Sequence, residues 1–76
     1  MKRSLHVDFK IAFGKKLREI RLSKNFTQQS LANLADIELS TLNRIELGKA
    51  GTSLTNIIAL SEALKIHPKE LFDIEY

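Results

Sequence analysis

The chain has no cysteine and no tryptophan, a single proline and three glycines in 76 residues. Without cysteine there is neither a disulfide framework nor a thiolate metal site, so so short a chain must be held by packing alone, with a second copy as a natural aid. The two histidines, His6 and His67, are far apart and stand in no His/Glu spacing that would ligate a metal. No apolar run approaches the ~20 residues needed to cross a bilayer. The start, Met1 to Asp8, lacks the apolar stretch of a secretory signal, so a cytoplasmic protein with no membrane partner is expected. No glycine-rich loop follows a strand and no nucleophile is paired with a base by a recognisable motif, which argues against an enzyme and against a bound cofactor. The length leaves room for one domain over 1–76.

What the chain does have is an uneven charge. The net +3 is made of +6 over residues 1–24, −1 over 25–49 and −2 over 50–76. A basic segment on a weakly acidic remainder points to a polyanion-facing side, although such a run is also what a solvated helix face looks like.

The scarcity of Pro68, Gly14, Gly48 and Gly51 leaves long stretches free to be helical, and no strand-like alternation stands out. Phe9, Phe13, Leu17, Ile20 and Leu22 recur at spacings of three and four, which predicts a helix capped near Asp8 and stopped by Asn25 after Lys24. Thr27 is an N-cap candidate for a short helix through Ala35, with Leu31, Leu34 and Ala35 inward. Asp36 stands where the chain must turn sharply and is among the few non-glycine residues that tolerate the left-handed region. A third helix is expected from Leu39 to Leu47 with Leu42 and Ile45 inward and Gly48 beyond its end. Ser53 caps a fourth, with Leu54, Ile57, Ile58, Leu60, Ser61 and Leu64 as a broad apolar face, and His67-Pro68 opens a fifth whose Leu71 and Phe72 close the core. The reading is all-α: five helices joined by short loops.

Residues 28–47 have the spacing of a helix-turn-helix. Ala32 fills the small position that a steep crossing requires, and Leu31, Ala35, Ile37, Leu42 and Ile45 fill the apolar ones. A third helix with its stripe on Leu42 and Ile45 turns Leu39, Ser40, Asn43, Arg44 and Leu47 outward, a shape that fits the major groove of double-stranded DNA.

Thr27-Gln28-Gln29-Ser30-Leu31-Ala32, Ile37, Ser40-Thr41-Leu42, Arg44-Ile45-Glu46 and Gly48-Lys49 together resemble the Cro/phage-repressor (Xre) family of bacterial DNA-binding domains. With Ser53-Leu54, Ile57, Leu60, Ala63-Leu64, Ile66 and Glu70-Leu71-Phe72 the likeness covers about residues 13–72. The resemblance implies a five-helix lambda-repressor-like domain. It places Leu39, Ser40 and Arg44 at base-reading positions with Glu38 and Asn43 beside them; Leu39 and Glu38 read equally well as packing and capping. It implies that Gln28 contacts a DNA phosphate, with the Thr27 and Thr41 hydroxyls placed for similar work and Lys49 in a loop against the backbone; Thr27 is as well explained by capping alone. Lys15, Lys16 and Arg18 would steer at longer range. It makes Arg21 and Glu46 a partly buried ion pair. Asp36, Glu38 and Leu47 depart from the commonest family pattern, which has glycine, Ser or Thr, and a polar or basic residue there.

Beyond that core, Ile74 and Tyr76 are candidates for a homodimer contact, with Leu71 and Phe72 as ordinary core. The leading expectation is a dimeric regulator of transcription on a near-palindromic operator. It would be governed by its own concentration, in the manner of small phage Cro proteins or restriction-modification controller proteins. The alternative is an interaction module, such as an antitoxin held by a toxin partner.

Overall fold

A computed structural model of the chain describes residues 5–76. Among these residues there are four α-helices and no strand: α1 (Leu5–Ser23), α2 (Gln28–Ala35), α3 (Leu39–Glu46) and α4 (Leu54–Leu64), followed by a 3-10 helix, Pro68–Phe72. The first helix already runs at Leu5, so Asp8 lies in its first turn and does not cap it. The fifth expected helix is the 3-10 segment. Pro68 at its start has no N–H to give, five residues close little more than one turn, and Glu70 N–H reaches back three residues to the His67 carbonyl at 3.0 Å. Its start is fixed by reciprocal caps, His67 Nδ1 accepting from Lys69 N–H at 3.2 Å and Glu70 accepting from His67 N–H at 3.0 Å.

Every α-helix ends in the same device. Asn25, Asp36, Gly48 and Lys65 all have positive φ, between 56° and 73°, and each is followed by a residue whose N–H bonds back to the carbonyl five positions earlier: Phe26 to Arg21, Ile37 to Ala32, Lys49 to Arg44 and Ile66 to Ser61. At three of these turns the following residue is apolar, and Phe26, Ile37 and Ile66 pack against the core. Helix termination and core packing are therefore one event at three corners of the molecule.

Leu17, Leu31, Leu42, Ile45, Leu60, Leu64 and Leu71 are withdrawn from water, joined by Phe13, Ala32, Ala35 and Ala63. Each large side chain so buried contributes ~1.5–3 kcal/mol before the entropy of ordering the chain is counted. Several apolar residues expected in this core are on the surface. Leu34 and Leu54 are 61% and 73% exposed, and Leu22, Ile58 and Phe72 are also outside. The reason lies in helix phase. The buried arc of α2 is centred among Leu31, Ala32 and Ala35, and at ~100° per residue Leu34 falls about 110° from that centre. The same geometry carries Ile58 to the back of α4.

Gly14 sits in the middle of α1, where glycine costs about 1 kcal/mol against alanine. A Cβ there would meet the carbonyl oxygens of Ile45 and Glu46, the second at 2.6 Å. The missing side chain lets α1 lie directly on the backbone of α3. On the same helix, Phe9 stacks with Phe72 of the 3-10 helix at 6.1 Å between centroids, and Phe13 meets it tilted at 5.4 Å.

Candidate nucleic-acid interface

Leu42, Ile45 and Glu46 are the buried residues of α3. The opposite arc presents Ser40, Asn43, Arg44 and Leu47 to solvent, with Leu39 40% exposed at its edge and Thr41 half-buried. The helix thus offers a hydroxyl, an amide and a guanidinium on one outward surface. Glu38 takes the N-cap position of α3 but makes no side-chain cap bond. The Thr27 hydroxyl is committed locally: it accepts from Ser30 N–H at 3.0 Å, while the Ser30 hydroxyl accepts from Thr27 N–H at 3.0 Å.

Lys49 follows Gly48 at the position where the other three helix ends carry Phe26, Ile37 and Ile66. It is exposed, so the one corner without an apolar plug puts a cation beside the C-terminal end of α3. Gly48 cannot be replaced there without cost, since its φ is 73° and a Cβ would stand 2.8 Å from Ile11 Cα.

Beneath the surface, Arg21 of α1 and Glu46 of α3 form a two-pronged pair: Nε to Oε2 at 2.7 Å and Nη2 to Oε1 at 3.0 Å. Both side chains are almost wholly buried. Arg21 Nη1 also donates to the Phe26 carbonyl at 2.8 Å, which ties in the turn between α1 and α2. The pair continues outward. Gln28, the first residue of α2, donates from Nε2 to Glu46 Oε1 at 3.0 Å, and Asn43 Nδ2 lies 3.4 Å from Gln28 Oε1. Arg21, Glu46, Gln28 and Asn43 make a continuous chain of polar contacts from the core to the exposed face of α3.

The basic residues of α1 are disposed differently. Lys15 and Lys16 line a shallow groove that also carries Glu19, Asp73 and Glu75, so part of their charge is offset by the C-terminal segment; Arg18 is exposed. Of the two residues singled out at the C-terminus, Ile74 is partly buried against the core, and Tyr76 rests edge-on against Phe9 at 5.2 Å while staying mostly exposed. A second exposed apolar area lies on α2 and α4, where Leu34, Leu54 and Ile58 stand near Ala59 and Glu62. No helix among the described residues is long and apolar enough to cross a membrane.

Sequence reasoning did not find the Gln28–Glu46 contact or the role of Gly14. Gly14 did carry a signal, being a glycine inside an otherwise regular helical pattern. The link from Gln28 to Glu46 carried none, since it joins residues 18 apart through the angle between two helices.

Two short helices crossing over a small residue, with the second turning a polar face outward, define a helix-turn-helix protein. The chain belongs to the helix-turn-helix family, whose model matches residues 17–71. It is similar to control protein C.BamHI of Bacillus amyloliquefaciens, 42% identical over 67 residues that cover 87% of this chain and 83% of the relative. It is also similar to control protein C.MunI of a Mycoplasma species, 41% identical over 70 residues covering 90% and 95%. Among solved structures, the restriction-modification controller protein C.AhdI from Aeromonas hydrophila superposes with a TM-score of 0.80 at 42% identity, covering 82% of this chain and 94% of that one.

Proposed function

We propose that this protein is a sequence-specific regulator of transcription that binds double-stranded DNA as a homodimer and controls a restriction-modification system. It carries out no covalent chemistry and acts by occupying DNA. The observation that carries the reading is the outward face of α3, where Ser40, Asn43 and Arg44 stand exposed on a helix whose other side is locked into the core. Arg44 suits a bidentate contact to guanine, and Ser40 can bond several base edges. Lys49 and the start of α2 at Gln28 flank that face and suit contacts to phosphate, which fix register without reading sequence. The 41–42% identity to proteins named control proteins supports the biological role.

A dimer places two copies of α3 in successive major grooves of a near-palindromic operator. The exposed Leu34, Leu54 and Ile58 supply an apolar contact for the second copy. Glu62 and Lys65 border the same surface, so a two-fold pairing can set unlike charges against each other across it.

The test is selection of bound duplexes from a random pool at near-physiological salt, which suppresses non-specific electrostatic binding. Enrichment of two inverted half-sites about 10 base pairs apart is expected. Weak, salt-sensitive binding with no enriched sequence would overturn the proposal in favour of a protein-interaction module.

A further inference from the structure

Resting on the DNA-binding reading, we infer that Asn43 recognises an adenine in the major groove, and that Glu46, from inside the core, acts as a positioning residue that sets this specificity through Gln28. The argument begins with the chemistry of the carboxylate. Glu46 is gripped on both oxygens by Arg21, and a carboxylate can only accept hydrogen bonds. Gln28 must therefore present its NH2 group inward to Glu46, as it does at 3.0 Å. The reverse amide orientation would set a carbonyl oxygen against a carboxylate oxygen.

With Nε2 turned inward, Gln28 Oε1 faces Asn43 and calls for a donor. Asn43 Nδ2 supplies it in a long contact of 3.4 Å, which favours one orientation of the second amide in turn. One N–H of Asn43 is directed at Gln28, leaving the other N–H and Oδ1 as a donor and acceptor side by side. Adenine alone among the bases shows the complementary pair on its major-groove edge, the N7 acceptor next to the N6 amino donor. A free asparagine could flip its amide and bond other edges equally well; one held by Gln28 cannot flip without losing that contact. Asn43 is exposed and on the same outward arc as Ser40 and Arg44, so the held amide is available to the groove.

The test repeats the duplex selection with the intact chain and with Asn43→Ala, Gln28→Ala and Glu46→Gln. Affinities are then measured on the selected operator carrying adenine or 7-deazaadenine, which lacks the N7 acceptor, at the enriched adenine. The intact protein should lose about 10- to 100-fold on the 7-deaza duplex, and Asn43→Ala should bind the two duplexes alike. Gln28→Ala, whose side chain lies near the surface and whose loss leaves the Arg21–Glu46 pair in place, should keep the fold and relax the preference at that same position without touching the others. Glu46→Gln, where folded, should do the same. Persistence of the adenine preference in Gln28→Ala, whether or not a lost phosphate contact at the start of α2 weakens all sequences alike, would overturn the inference while leaving the regulator standing. An enriched operator with no adenine preference sensitive to Asn43→Ala would also overturn it. If the intact protein enriches no sequence, both the regulator and the adenine reading fall.

Discussion

Gly14→Ala reverses the usual sign of its kind. In an exposed helix interior, replacing glycine by alanine stabilises by about 1 kcal/mol. At Gly14 the new methyl would stand 2.6 Å from the Glu46 carbonyl oxygen and closer still to that of Ile45. These are backbone atoms of α3, which cannot swing aside as a side chain can, so α1 and α3 must part by about 1 Å to restore ordinary contact. Overpacking of this kind costs ~1–3 kcal/mol. The separation also loosens the Arg21–Glu46 pair, which bridges the same two helices. Set against the gain in helix propensity, the net loss should reach up to ~2 kcal/mol, a fall in Tm of up to roughly 15 °C for a domain of this size. Gly51→Ala is the internal control, because the nearest atom to a Cβ there is Lys10 Cδ at 4.0 Å; its Tm should stay level or rise slightly. Thermal unfolding followed by circular dichroism at 222 nm reads both. A Gly14→Ala protein melting at or above the unaltered chain would refute the close helix contact and with it the account of why α1 and α3 meet as they do.

Arg21→Ala leaves the buried Glu46 carboxylate without its cation and should cost ~3–5 kcal/mol in urea unfolding, whereas Arg21→Met with Glu46→Leu should recover much of that; an unchanged midpoint with lost DNA binding would make Arg21 a phosphate contact. Arg44→Ala should weaken binding by ~1–3 kcal/mol at one base pair and relax preference there, while Lys49→Ala should weaken all duplexes alike and lower the salt dependence by about one phosphate contact; equal, uniform losses from both would undo the readout assigned to Arg44. Leu54→Ser with Ile58→Ser should change monomer stability by about 1 kcal/mol or less, since both side chains are on the surface, yet shift sedimentation from dimer to monomer. A persistent dimer would move the contact elsewhere, with Tyr76→Ala as the next variant to sediment.

Much of the site is legible along the chain because it is local. The outward set on α3 follows from two apolar anchors, Leu42 and Ile45, and the helical period. The caps at Thr27, Ser53 and His67 and the turn at Asp36 are read from residue chemistry alone, and each makes its bond within a few residues. The errors came where a choice between faces depended on the neighbours. Leu34 and Ile58 fit an apolar stripe by spacing, yet the arc of α2 that is buried runs through Leu31, Ala32 and Ala35, and Leu34 is left outside. Lys65 gave no hint of a left-handed turn, because lysine has no local side-chain bond to favour it; the packing of Ile66 imposes that conformation.

Sequence alone determined the four α-helices, the caps at Thr27 and Ser53, the helix-turn-helix and the polar face of α3, since these rest on propensities, periodicities and caps acting over a few residues. Tertiary structure decided what that face is attached to. The approach of α1 to α3 over Gly14, and the chain from Arg21 through Glu46 and Gln28 to Asn43, join residues far apart in sequence, 25 positions in the case of Arg21 and Glu46 and more for Gly14. Such contacts exist only once the crossing angles of three helices are fixed, and those angles are set by the mutual fit of whole surfaces.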